Sequence, residues 1–203
     1  MKAIVYHSYG SPDNLRLTEE PQPVPKDNEV LVKVHAASIN SWDWDLVKGE
    51  PFLVRVIGGI RHPKNKTLGA DIAGVVAAVG KDVKDFSIGD EVFGDIAGCG
   101  FGGFAEYVSV PAKLLAPKSP AMTFEQSAAM PQAGLLALQG LRYKRPAQQG
   151  QQVLINGAGG AVGTLALQYL KSIGAEVTCV DSTDKLDMLR TMGADHVIDY
   201  TRE

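Results

Sequence analysis

The chain has 203 residues, 45% of them hydrophobic and 21% charged, with a formal net charge of −3. That is enough for one or two domains with a proper core, and the slight acidity excludes the basic field that nucleic acid or an anionic membrane surface requires. Its two cysteines, Cys99 and Cys179, form no C-x-x-C pair, the start "MKAIVYHSYG" lacks a signal-peptide core and no apolar run has membrane-spanning length, so a cytosolic (cytoplasmic) protein without disulfides or a membrane partner is expected.

The first half is punctuated often. Met1 to Tyr6 reads as a short apolar strand, and "PQPVPKDNE" as a proline-rich connection. "VLVKVHAASIN" alternates, with Val30, Val32 and Val34 on one face, as a half-buried strand does. "PFLVRVIGGIRHPKNK" combines an apolar run with Arg55, Arg61, Lys64 and Lys66, and reads as a solvated loop over a barrel, with a flank of a substrate entrance as the second reading. "LGADIAGVVAAVG" and "GDEVFG" add strands between glycines, and such short strands at close spacing predict a partly closed antiparallel barrel. Pro111, Pro117 and Pro120 mark a boundary, placing one domain at 1–118 and a second at 119–203. Just beyond it, Thr123 with Gln126 three residues on has the capping-box pattern of a helix start.

The second half has an α/β rhythm. Gln152 to Asn156 is a buried strand, followed by the loop "GAGGAVG" and a helix with Val162, Leu165, Ala166, Tyr169, Leu170 and Ile173 on one face. Gly174 ends that helix; Val177 to Val180 is the next strand, Asp184 to Met192 the next helix and His196 to Asp199 a third strand. Strand, helix, strand, helix, strand implies a parallel sheet with right-handed crossovers.

The glycine loop carries the first chemical signal. Gly157, Gly160 and Gly163 lie between strand and helix, and Asp181 ends the following strand, about 20 residues on, as in the dinucleotide fingerprint. Small residues let the backbone of Gly157, Ala158, Gly159, Gly160, Ala161, Val162 and Gly163 approach a pyrophosphate, and the helix N-terminus offers unpaired N–H groups. A P-loop would need Lys before Thr164, where this chain has Gly163. The bland alternative is a close-packed strand–helix turn that binds nothing.

With these motifs in hand, the chain resembles the medium-chain dehydrogenase/reductase superfamily, and within it the zinc-free quinone oxidoreductase-like branch. "GADIAGVVAAVG" is similar to the superfamily signature at Gly69, Asp71, Gly74, Val76, Val79 and Gly80, and "GDEVFG", "GGFAEY" and "GADHVIDY" follow in order. The resemblance implies an α/β fold: a GroES-like, partly closed β-barrel domain, then a Rossmann (doubly wound parallel sheet) domain of which only the first half is present. It implies hydride transfer from NAD(P)H in the cleft between those domains, to a quinone, an enone or a similar carbonyl acceptor.

Zinc-dependent members place Cys where this chain has Asn40 and His where it has Ala70, so no zinc is expected. Asn40 is the candidate contact to the nicotinamide and ribose. Asp43 has two readings, a catalytic contact or a hydrogen-bonding residue at a helix start. Ser182, Lys185 and Tyr200 match positions that contact the adenosine end in relatives, although Lys185 also reads as a solvated helix residue. Leu136 stands where many relatives have Thr near the nicotinamide, and Trp42 and Trp44 are candidates either for packing or for stacking on a flat quinone. Asp181 can accept from a ribose 2′-OH and repels a 2′-phosphate, which favours NADH slightly, whereas Lys185 and the habits of the branch favour NADPH.

The Tyr-x-x-x-Lys of short-chain dehydrogenases follows none of the tyrosines. The alternative reading is a truncated, catalytically inactive dinucleotide-binding fragment or binding module. A strand order of 3-2-1 leaves the strand at 152–156 as an edge, through which self-association is expected.

Overall fold

In the computed structural model, which describes residues 1–202, the chain starts with an antiparallel pair, β1 (Lys2–Val5) and β2 (Arg16–Glu19). A five-stranded antiparallel sheet follows, built from β3 (Glu29–Ser38), β4 (Asp71–Val79), β5 (Glu91–Asp95), β6 (Tyr107–Pro111) and β7 (Ala116–Pro117) in the order β6-β3-β4-β5-β7. In β3, Val30 and Val32 reach the core with Ile72, Val76, Val92 and Val110 as expected, but Leu31 between them is buried too, so the strand start is covered on both faces and the alternation shows only from Lys33 on. Burying each such side chain stabilises the fold by about 1.5–3 kcal/mol.

Between β3 and β4 the chain forms α1 (Ser41–Lys48) and α2 (Phe52–Gly58). The second of these corrects the expectation of a loop over residues 51–66. Val54 is buried with Leu46, Val47, Tyr6 and Leu68, while Phe52, Leu53, Val56 and Ile57 face outward. The helix therefore stands on one buried valine from a non-local cluster, and its apolar residues do not fall into a stripe that marks it as amphipathic. Arg55, grouped above with the solvated cations, donates from Nε to Gly49 O at 2.9 Å and lies 5.0 Å from the Tyr9 ring.

The capping box at Thr123 forms as read: Gln126 N donates to Thr123 Oγ1 at 3.2 Å and Thr123 N to Gln126 Oε1 at 2.9 Å, opening α3 (Phe124–Ala128). That helix packs on β3, β4 and β5, so the first compact unit runs past the prolines to Gln132, and the second is Ala133–Glu203. The division falls in α4 (Pro131–Arg142), 14 residues beyond the expected boundary at 118, because the segment after the prolines buries its apolar face on the barrel sheet.

The second unit is a parallel sheet of β8 (Gln152–Asn156), β9 (Glu176–Asp181) and β10 (His196–Asp199) in the order β10-β9-β8, the expected 3-2-1. Helix α5 (Ala161–Ser172) joins β8 to β9, and α6 (Leu186–Thr191), preceded by a 3-10 turn at Thr183–Lys185, joins β9 to β10. The buried face of α5 is Gly163, Ala166, Leu167 and Leu170, rotated from the stripe read in the sequence. Leu167 is fully buried, while Val162, at the exposed first turn beside the glycine loop, is not. No helix among the described residues is long and apolar enough to cross a membrane.

Candidate functional site

In the first unit, the end of β3 and the start of β4 meet. Ser38 pairs with Asp71 in the β3–β4 register, which brings Asn40, two residues past Ser38, beside the same carboxylate. Asn40 Nδ2 donates to Asp71 Oδ2 at 3.2 Å and to Ser38 Oγ at 3.3 Å, and Ser38 Oγ donates to Asp71 Oδ2 at 3.3 Å. The N–H of Gln132, in the first turn of α4, donates to Asp71 Oδ1 at 3.1 Å and Oδ2 at 3.2 Å. Asp71 is 1% exposed. Burial pushes its carboxyl up to about 6; the hydrogen bonds from Gln132, Asn40 and Ser38 oppose that rise, and the Asp95 charge adds to it.

Asp43 makes the hydrogen bonds of a helix start. It sits at the third residue of α1, with Oδ2 accepting Asn40 N–H at 2.9 Å and Oδ1 accepting Gly69 N–H at 2.9 Å. At 2% exposure both oxygens are engaged by main chain. Burial raises its carboxyl, against the pull of those two N–H groups. Asp43 thus holds the backbone N–H of Asn40, and Asp71 accepts from its side-chain amide. Asp71 was visible in the signature yet drew no site role from the sequence; its signal was an acid in an otherwise apolar strand, a residue that is costly to bury unless it has partners.

Ala70, buried and without a polar side-chain atom, precedes Asp71. No group of three or more His, Cys, Asp or Glu able to hold a metal occurs among the described residues. Trp42 packs into the Tyr6–Leu46 cluster, and Trp44 is half exposed with the Lys48 ammonium 5.4 Å from its ring.

In the second unit the glycine loop is tied down through main chain. Gly157 N and Ala158 N both donate to Val180 O, at 3.0 and 3.1 Å, and Gly160 N donates to Gly157 O at 3.2 Å. Ala158 is buried under α5, where a Cβ on Gly163 would lie 2.6 Å from Ala158 Cα, so only glycine allows helix and loop to touch. Gly160 is the N-cap of α5 and has no side chain to close the helix end. Its own missing Cβ would meet only Gly157 O, at 3.5 Å.

Asp181, 4% exposed, is turned onto this loop. Oδ2 accepts Gly159 N–H at 2.7 Å, Oδ1 accepts Ser182 N–H at 2.8 Å, and Lys185 Nζ lies 3.3 Å from Oδ1. Burial acts to raise the carboxyl, but these two N–H groups and the lysine outweigh it and hold Asp181 below the usual carboxylate range. Lys185 is therefore an ion-pair partner with its stem against Gly159, not a freely solvated residue. Ser182 Oγ donates to Asp184 Oδ1 at 2.5 Å, and Tyr200 is exposed just past β10, its N–H donating to Asp181 O at 3.3 Å. Leu136 stands on the exposed side of α4 beside Leu135.

Residues 26–120 match the alcohol dehydrogenase GroES-like domain, and residues 161–203 match the zinc-binding dehydrogenase family. A 2-methylene-furan-3-one reductase from Solanum lycopersicum is 38% identical over the whole of this chain, which spans 53% of that protein. Among solved structures, the quinone oxidoreductase from Coxiella burnetii is 34% identical with a TM-score of 0.87, covering 100% of this chain and 63% of that one. The Escherichia coli quinone oxidoreductase complexed with NADPH is 29% identical with a TM-score of 0.85, covering 100% of this chain and 60% of its own. The chain thus spans about half to two thirds of the length of the proteins it matches.

Proposed function

This chain belongs to the medium-chain dehydrogenase/reductase superfamily, in its quinone oxidoreductase-like branch, and we propose that it serves a NAD(P)H-dependent reduction of a quinone, an enone or a similar conjugated carbonyl without zinc. The observation that carries this reading is the bare N-terminus of α5. Its first-turn N–H groups open toward Gly160 with no capping side chain, and the loop before it is fixed to β9 by the Val180 carbonyl and the Asp181 carboxylate. Such free N–H groups at a helix start suit an anion such as a pyrophosphate.

The residues fit the dinucleotide as follows. The loop from Gly157 to Gly163 takes the pyrophosphate, and Asp181, Ser182, Lys185 and Tyr200 lie at the end of β9 and past β10 for the adenosine end. Asn40 offers an amide to the nicotinamide and ribose. When bound, the cofactor supplies the hydride; the protein's part is orientation and electrostatics. Zinc-independence rests on residue chemistry, since an amide at Asn40 and a methyl at Ala70 are poor zinc donors. Without a Lewis acid to polarise an alcohol or ketone, acceptors that take a hydride readily are favoured. The names of the three relatives above, a methylene-furanone reductase and two quinone oxidoreductases, support that acceptor class.

NADH is the slightly preferred cofactor: the buried Asp181 charge repels a 2′-phosphate, and Lys185, already paired with it, only partly offsets that. The NADPH in the Escherichia coli relative pulls the other way. A cytosolic setting is proposed on the two separated cysteines, the second of which, Cys179, is fully buried.

Gly160→Leu is the test. A Cβ there makes only an ordinary contact with Gly157 O, so the fold should survive while calorimetric affinity for the reduced dinucleotide falls at least about 100-fold, roughly 2.7 kcal/mol. Unchanged affinity would remove the loop from the site. Parallel titrations of NADH and NADPH at matched ionic strength decide the preference, and tighter NADPH binding reverses it.

A further inference from the structure

The Asp71 cluster goes beyond the glycine loop that identifies a dinucleotide protein. An asparagine amide is nearly symmetric in shape, so something must decide which end faces inward. An ionised carboxylate only accepts hydrogen bonds, and Asp71 Oδ2 stands 3.2 Å from Asn40 Nδ2. Both amide hydrogens are used on the protein, on Asp71 and Ser38, which leaves the carbonyl Oδ1 as the side-chain atom outside these two bonds.

We propose that Asp71 is the positioning residue for Asn40: its carboxylate dictates the amide orientation, so that Asn40 meets its ligand as a hydrogen-bond acceptor and not as a donor. This rests on the reading of Asn40 as a cofactor or acceptor contact. The ligand group selected is a donor, such as a ribose hydroxyl or a carboxamide N–H. Asp71 does not touch that ligand. The Gln132 N–H spans both of its oxygens and the Asp43–Asn40 bond fixes the backbone beneath, so rotation of the amide is the one freedom left, and Asp71 sets it.

Protonation would undo this. A neutral Asp71 carries an O–H donor, and the amide can then turn to present Oδ1 inward. The groups facing Asp71 are the Asn40 amide, the Ser38 hydroxyl, the Gln132 N–H and the Asp95 carboxylate across the β4–β5 pair.

The test has two parts. In wild type, the side-chain ¹⁵N–¹H pair of Asn40, assigned by its loss in Asn40→Ala, should move in a single titration with a midpoint near the raised value of about 6; in Asp71→Asn that titration should vanish. Turnover with NAD(P)H and a quinone then supplies a double-mutant cycle. Asp71→Asn should lower kcat roughly tenfold with the acceptor KM within about twofold, and adding it to Asn40→Ala should cost nothing further. Additive losses, or an Asn40 amide that does not titrate in wild type, would overturn the proposal. Should Asn40→Ala keep full turnover, the reading of Asn40 as a ligand contact falls, and the amide titration alone then decides whether Asp71 orients it. That measurement needs no folded Asp71 variant.

Discussion

In the first unit the polar atoms at the site are side chains, held in place by two carboxylates that are almost wholly buried, Asp43 and Asp71. In the second, the loop from Gly157 to Gly163 has hardly any side chains, and what it offers is main chain. The two therefore fail differently. A buried carboxylate is expensive to desolvate and holds its neighbours through charge and hydrogen bonds, so it responds to pH and to loss of an acceptor. A glycine loop responds to added volume and hardly to pH. The same contrast holds at the sheet edges. The barrel sheet ends on β6, which closes with Pro111, and on β7, which carries Pro117, whereas β8 has neither proline nor lysine.

Added volume at the tightest point should have the largest effect. Gly163→Val forces atoms onto Ala158, whose Cα is only 2.6 Å from the missing Cβ. It should cost the second unit about 3–4 kcal/mol in denaturant unfolding. A normal midpoint would mean that helix and loop are not packed as described.

Removing an acceptor should cost somewhat less. Asp43→Ala leaves the N–H groups of Asn40 and Gly69 without partners, a loss of about 2–3 kcal/mol in the same assay. If the first unit loses nothing, Asp43 is not the support of α1.

pH should separate the units next. Asp71 is raised to about 6 in the fold, above its ordinary value. Its contribution to stability is therefore fully present below about pH 4 and is lost as pH rises through about 6. Relative to Asp71→Asn, wild type should lose about 1–2 kcal/mol between pH 4 and 7. A difference that stays flat or grows in favour of wild type would reverse the sign argued here. Asp181, held low, should contribute nothing to that window.

The smallest effect concerns the edges. The β8 edge exposes Leu154 as well as its free N–H and C=O groups, and we expect this 203-residue chain to self-associate weakly through it. Leu154→Lys should restore the monomer in light scattering, a change of about 1 kcal/mol. A monomer in wild type at high concentration would refute the expectation.

What the sequence showed and hid follows the same divide. The glycine loop and the capping box at Thr123 rest on neighbours in sequence, so local spacing is enough to read them, whereas the 3-2-1 strand order came with the family resemblance. The Asp71 cluster joins residues 31 and 61 positions apart; the β3–β4 register brings Asn40 to Asp71, and the start of α4 brings Gln132. Helix α2 was hidden for a related reason: its buried contact, Val54, answers to Tyr6 and Leu68, and its outward apolar residues show no stripe. The face of α5 was read a step away from the true one because its first turn belongs to the loop. Asp43 and Lys185 each have two readings in sequence, and their partners are legible only in the fold: two backbone N–H groups for one, the Asp181 carboxylate for the other.

The double hydrogen bond from Gln132 to Asp71 also bears on the order in which the molecule assembles. A helix commonly has its first turn capped by a residue immediately before it and can begin to form alone. Helix α4 instead draws its cap from a residue 61 positions earlier, a contact of high sequence separation whose loop-closure entropy must be met first. Its first turn should stay frayed until β4 is in place, and become protected from solvent exchange in the same step as the barrel sheet.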